Sequence, residues 1–145
     1  MISIRTEVVD NIIQVSTATV EKYVSLILKD KGIKSADITV IFGTTEMLKK
    51  LKKQFFNQNV YTDVIAFRLD DGDSMEGEIY ISPEIALENS KKFNTAYHNE
   101  LSRLVFHGTL HLVDYNDDTP QNKLKMKRKE DYFLNQINST NILLK

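Results

Sequence analysis

The sequence predicts an α+β fold with four strands and about five helices, organised as one domain over residues 1–145. Three observations carry this reading. Strand-like runs are confined to the first 81 residues, whereas everything after Pro83 repeats its apolar residues at helical spacing. Only five Gly and two Pro punctuate the chain, which leaves little room for a flexible linker. A chain of 145 residues can also bury about two-thirds of its unfolded surface in a single core.

Taken in order, Ile2–Val9 alternates apolar and polar residues and reads as the first strand. Thr17 is placed to cap a helix through Val20, Tyr23, Val24, Ile27 and Leu28 that stops at Gly32. Those apolar residues fall three and four apart, so one stripe of the helix faces a core. Ile38–Phe42 is a short β-branched run and the second strand; Thr44 and Thr45 open a helix carrying Met47, Leu48, Leu51, Phe55 and Phe56. Val64–Leu69 and Glu78–Ile81 are two further strands, joined across the polar Asp70–Met75 stretch by a hairpin-like connection. Pro83 suits the first position of a third helix ending near Asn94. A fourth helix is expected from about Ala96 to Val113. The last begins after Thr119-Pro120, passes Leu124 and Tyr132, and ends near Asn138.

Composition excludes several classes of chemistry. No cysteine is present, so disulfides, thiolate metal ligands and a cysteine nucleophile are all absent. The N-terminus lacks a basic start followed by an apolar stretch, so no signal peptide is expected; no apolar run approaches the roughly 20 residues that span a bilayer. These features fit a soluble protein of a reducing cytoplasm. With a net charge of −1, any affinity for nucleic acid must come from local clusters.

The segment richest in chemistry is His107-Gly-Thr-Leu-His-Leu-Val-Asp-Tyr-Asn-Asp-Asp118. His107 and His111 are four residues apart, so on a helix both imidazoles leave one face and can reach one metal ion. Taken alone, the pair is better read as two partly buried histidines with satisfied hydrogen bonds. The acidic stretch that follows tips the reading toward metal: Asp114, Asp117 and Asp118 are all candidates for a third ligand. Two histidines and a carboxylate form a known catalytic zinc environment, and also the facial set of non-haem iron, so metal identity stays open. Such an ion lowers the pKa of water from 15.7 towards roughly 7 and polarises carbonyl or phosphoryl oxygens, which suits hydrolysis of a peptide or a phosphodiester. Zinc peptidases with an H-E-x-x-H motif carry a glutamate base directly after the first histidine. Here that position is Gly108, which counts against peptide hydrolysis.

The same segment resembles the signature H-G-x-L-H-L-x-G-Y-D-H of the YbeY family of bacterial ribosomal RNA maturation factors. His107, Gly108, Leu110, His111, Leu112 and Tyr115 match it. Thr62–Phe67 is similar to the family's T-D-V-L-S-F, Gly77–Ser82 to its G-D-I-x-I-S, and Glu100-Leu101 fits the run-up to His107. The resemblance spans nearly the whole chain. It implies a zincin-like fold with a small mixed four-stranded sheet packed against helices. It further implies a cytoplasmic, zinc-dependent endoribonuclease, specific for single strands, that matures the 3′ end of small-subunit ribosomal RNA and serves ribosome quality control. Its partners would be RNA and the small subunit, not DNA or membrane. The chain departs from the family pattern at four positions. The third histidine of the signature falls on Asp117, its glycine on Asp114 and its aspartate on Asn116. A basic residue expected before the T-D-V-L-S-F strand is Phe56. Asp tolerates a left-handed backbone better than most residues, so a turn at Asp114 survives.

Arg103, four residues before His107, shares its helical face and is the candidate to stabilise a pentacoordinate phosphorus; pairing with Glu100 or Asp63 is the structural alternative. The set expected to carry catalysis is Arg103, His107 and His111, with zinc, or another divalent ion, on His107, His111 and Asp117. Lys123, Lys125, Lys127, Arg128 and Lys129 form one basic run and Lys49, Lys50, Lys52 and Lys53 another, each suited to an RNA backbone or simply to a solvated helix face. Asp63 is a candidate to orient a ligand histidine. His98 reads as a surface or capping residue, and Tyr115 as a packing residue or a support to the ligands. Two other functions fit the residues: a metallopeptidase on the same scaffold, and a ribosome-associated binding protein whose metal is structural.

Overall fold

A computed structural model describes residues 1–70, 72, 74–137 and 140–144. Its elements follow the expected order: β1 (Ile2–Val8), α1 (Thr17–Asp30), β2 (Ala36–Phe42), α2 (Thr45–Phe56), β3 (Val64–Arg68), β4 (Met75–Ile81), α3 (Pro83–Lys92), α4 (Tyr97–Leu112) and α5 (Pro120–Ile137). The fold is α+β, with one four-stranded sheet in the order β1-β2-β4-β3. β1, β2 and β4 run parallel, and β3 returns antiparallel along β4, so the sheet is mixed.

Where the observed ends differ from the sequence pattern, backbone pairing accounts for it. β2 and β4 begin earlier than their apolar runs because the ladder continues through Ala36–Met75, Asp37–Glu76 and Ile38–Gly77. The cap of α1 is Ser16 rather than Thr17: its hydroxyl oxygen accepts the Thr19 N–H at 3.2 Å. Thr44 caps α2 in the expected way, accepting the Met47 N–H at 3.1 Å, and Pro83 opens α3. α3 stops at Lys92, two residues short of Asn94, which takes a left-handed conformation. A 3₁₀ turn at Val9–Asn11 was not legible in the pattern. The expected end of α5 at Asn138 lies outside the described residues. The β3–β4 connection is the anticipated hairpin, held by the Asp70 carboxylate, which accepts the N–H groups of Gly72 and Glu76 at 3.0 Å each. Hydrogen bonding from Arg68 and then from Glu76 holds that carboxyl down at about 2.

One contiguous apolar core fills the space between the sheet and the helices. Ile38, Val40 and Phe42 of β2 and Ile79 and Ile81 of β4 are fully buried, together with the expected stripe of α1. α4 lies directly over β3 and β4. A Cβ at Gly108 would sit 2.5 Å from Cγ2 of Ile79, so the absence of a side chain is what lets the helix backbone settle on the sheet. That contact fixes the height and rotation of α4, and therefore of its two histidines. Among the described residues no helix is long and apolar enough to cross a membrane.

Candidate metal centre

Arg103, His107 and His111 follow one another at four-residue intervals, and α4 presents all three along one partly exposed stripe. This is the arrangement the sequence spacing anticipated. The Nε2 atoms of His107 and His111 lie 3.0 Å apart. Asp117 returns from the α4–α5 connection to place Oδ2 at 3.4 Å from each of them. Three donors bound to one zinc ion at roughly 2.0–2.2 Å in tetrahedral geometry would stand about 3.3–3.5 Å from each other. The observed triangle fits that requirement to within a few tenths of an ångström. All three ligand atoms are drawn from types that hold divalent ions, and the group is one that could hold a metal.

The turn that delivers Asp117 explains why the other two carboxylates are not in the group. Asp114, just beyond α4, adopts φ 75°, the left-handed conformation anticipated there. Its side chain is 90% exposed and faces Arg68 at 4.0 Å. Asp118 accepts the Asn122 side-chain amide at 2.8 Å and so braces the start of α5. Tyr115 packs against the core beneath the Lys31 ammonium. His98 sits in the first turn of α4, where its carbonyl accepts the Ser102 hydroxyl.

His107 and Asp117 line a cleft of about 610 Å³. Asp63, Arg103, Lys123, Lys127 and Glu130 line it beside them. Of the two basic runs, then, α5 sends two lysines into the cleft, whereas none of the α2 lysines lines it. Lys49 and Lys52 lie over the rings of Tyr61 and Phe56. Phe56 itself stacks on Phe67 and takes no part in the cleft. Arg103 pairs with neither Glu100 nor Asp63. Its terminal nitrogens donate to Glu130 and Asp131, each at 2.7 Å. Glu130 also reaches Nδ1 of His107 at 2.6 Å, the place envisaged for Asp63. Asp63 instead accepts a long hydrogen bond, 3.4 Å, from the Asn89 amide.

These contacts push the two histidines apart. Burial lowers the pKa of His107, but the hydrogen bond and charge of Glu130, with Asp117 and Asp63, outweigh it and raise the net value. His111 is lowered, by burial first and by its positive neighbour second. A low pKa keeps His111 in the neutral form that binds metal. Burial raises Asp63.

Glu130 is the residue that sequence reasoning missed, although a signal was present. On α5 the buried positions are Met126, Glu130, Phe133 and Ile137, spaced four, three and four. A glutamate on an otherwise apolar stripe is a carboxylate taken into an interior, and such groups have partners.

Residues 3–138 match the family described as Endoribonuclease YbeY. The chain belongs to that family. Endoribonuclease YbeY of Chlorobaculum parvum is 32% identical over 123 residues, covering 85% of this chain and 87% of the relative. Its counterpart in Christiangramia forsetii is 39% identical over 95 residues, 66% of each. The solution structure of a Thermotoga maritima protein superposes with a TM-score of 0.59 at 29% identity, covering 94% of this chain and 89% of that one. Endoribonucleases are hydrolases acting on RNA, the enzyme class that the resemblance implied. The structure gives Gly108 a packing role: the position faces Ile79 and Val64 of the sheet, where a side chain would meet the strands.

Proposed function

We propose that this chain is a metal-dependent, single-strand-specific endoribonuclease, with zinc held by His107, His111 and Asp117, that works in the cytoplasm on ribosomal RNA and matures the 3′ end of the small-subunit RNA. The observation that carries the proposal is the donor triangle of 3.0, 3.4 and 3.4 Å, two of whose members line a cleft, in a member of an endoribonuclease family. Bound there, a divalent ion would supply Lewis acidity and lower the pKa of a water, the chemistry that ester hydrolysis needs at neutral pH.

The chain's own residues supply the rest. Lys123 and Lys127 bring positive charge to the rim of a cleft that also carries Asp63, Glu100, Asp117 and Glu130, so RNA affinity resting on these lysines would fall with added salt. Arg103 lines the same cleft with both terminal nitrogens already committed, so it offers a substrate charge at short range rather than a free fork.

The test is elemental analysis of the purified protein alongside His111→Ala and Asp117→Ala, followed by cleavage of a single-stranded RNA. About one zinc per chain, lost in both variants with a drop in cleavage of roughly 10³-fold or more, is the expected result. Wild-type protein that holds no metal after zinc is supplied would end the hydrolase reading in this form. Zinc lost from the variants with cleavage unchanged would leave the metal a structural role.

A further inference from the structure

The geometry points to Glu130 as the positioning residue of the metal centre: it fixes the tautomer and aim of His107, and Arg103 acts through it as its counter-ion. This inference rests on the reading that His107 is a metal ligand.

Helix periodicity puts Glu130 in the interior. Its neighbours on the stripe, Met126 and Phe133, are buried side chains of the α4–α5 seam, and Glu130 itself is only 6% exposed. A carboxylate taken that far from water is costly unless it is paired and its oxygens are all satisfied. One arginine would satisfy the charge. The structure does more: one oxygen, Oε1, accepts from Arg103 at 2.7 Å, while the other, Oε2, meets Nδ1 of His107 at 2.6 Å. An ionised carboxylate has no proton to donate, so Nδ1 must carry one. The neutral ring then has its lone pair on Nε2, the atom that faces Nε2 of His111 and Oδ2 of Asp117. Without Glu130 the neutral ring is free to carry its proton on Nε2, which takes that lone pair out of the donor triangle, or to rotate about its own bond. The carboxylate also makes the ring a better donor, as partners of ligating imidazoles generally do.

Arg103 completes the chain of contacts. Its Nη1 donates to Glu130 and its Nη2 to Asp131, the next residue of α5, at 2.7 Å. That fork gives the Glu130 carboxylate a counter-ion and aligns it with α4. The three residues span α4 and α5, so they also tie the helix that bears the histidines to the helix that follows Asp117. The outer member, Asp131, is half exposed and contributes least.

The experiment is a zinc titration of metal-free protein against a chromophoric chelator, made on wild type, Glu130→Gln, Arg103→Gln and Asp131→Asn. Glu130→Gln should weaken zinc binding about 10–100-fold, Arg103→Gln by less, and Asp131→Asn by no more than about threefold. Zinc affinity of Glu130→Gln within about twofold of wild type would overturn the inference. Side-chain nitrogen shifts of His107 in zinc-loaded wild type give a check that needs no variant to fold. Protonated Nδ1 with ligated Nε2 supports the assignment, and the reverse tautomer overturns it. Wild type that binds no zinc fails in a different place, since it removes the metal reading itself.

Discussion

The two long faces of α4 are held by different physics. Toward the sheet it presents Leu101, Val105, Gly108 and Leu112, spaced four, three and four, all buried and apolar. The fit is steric: Gly108 meets Ile79, and Leu112 meets Gly77 so closely that neither glycine has room for a methyl group without a shift. Toward α5 the same helix presents Arg103 and His107, and the contacts are ionic, with Phe106–Phe133 at 5.6 Å as their apolar companion. The first face decides where the histidines stand. The second decides which nitrogen His107 offers. Stability and chemistry therefore sit on one helix but on different sides of it, and substitutions should separate them.

The largest expected effect comes from the steric side. Leu28 of α1 is fully buried in the core that the sheet, α1 and α4 share. Leu28→Ala should cost about 2–5 kcal/mol and lower Tm by roughly 10 °C. Zinc affinity of the folded protein should stay within about twofold of wild type, because no cleft residue moves. Paired measurement of Tm and zinc affinity checks this, and a loss of affinity in step with stability would break the separation.

A smaller effect tests the place where the two faces communicate. Gly108 neighbours a ligand, and Gly108→Ala forces a methyl against Ile79. Overpacking costs about 1–3 kcal/mol, set against roughly 1 kcal/mol gained from helix propensity. The net should be a loss of about 1 kcal/mol, accompanied by weaker zinc binding as α4 lifts. Removing the obstructing atom with Ile79→Ala in the same chain should recover part of the loss relative to additivity, in a double-mutant cycle read by thermal melts. A Gly108→Ala protein more stable than wild type, as an ordinary helix would give, would show that the close approach does not position the site.

The same division sets how much was legible in the sequence. Steric and periodic features are local and could be read: the stripe of α1, the cap at Thr44, Pro83 at the start of α3, and the histidines at four-residue spacing. The left-handed turn at Asp114 was legible through the resemblance, since the signature's glycine falls there and Asp tolerates that conformation. What escaped depends on distant partners. Strand order and the parallel pairing of β1, β2 and β4 have no signature in any one segment, and that ladder is why β2 and β4 begin earlier than their apolar runs suggest. Glu100 or Asp63 was the expected partner of Arg103, whereas its partners Glu130 and Asp131 lie on α5, and nothing in the spacing of α4 points to them. Glu130 was hidden among the charges of its own helix, Lys127, Arg128, Lys129 and Asp131, and only its phase with Met126 and Phe133 distinguishes it.

The smallest effect concerns the carboxyl group that the network leaves out. Asp63 lines the cleft, and among the described residues it has no Arg or Lys partner; burial raises its pKa, against the pull of His107 and of nearby backbone N–H groups. The sign follows from linkage. A folded pKa above the unfolded value of about 3.9 means that the folded state binds the proton more tightly. Relative to the unfolded chain, Asp63 therefore costs nothing below that pH and destabilises progressively as pH rises through the folded pKa. Asp63→Asn removes that cost. In metal-free protein the variant should melt higher than wild type at pH 7, by on the order of 2 °C, with the difference shrinking as pH falls to 4. Zinc loading should shrink the gain at pH 7 or reverse it, because a nearby cation favours the ionised carboxyl. Melts at both pH values, with and without zinc, read all three terms. A variant less stable than wild type in the metal-free state would mean that ionised Asp63 is a net stabiliser, and that the cleft bears no electrostatic strain for the metal to relieve.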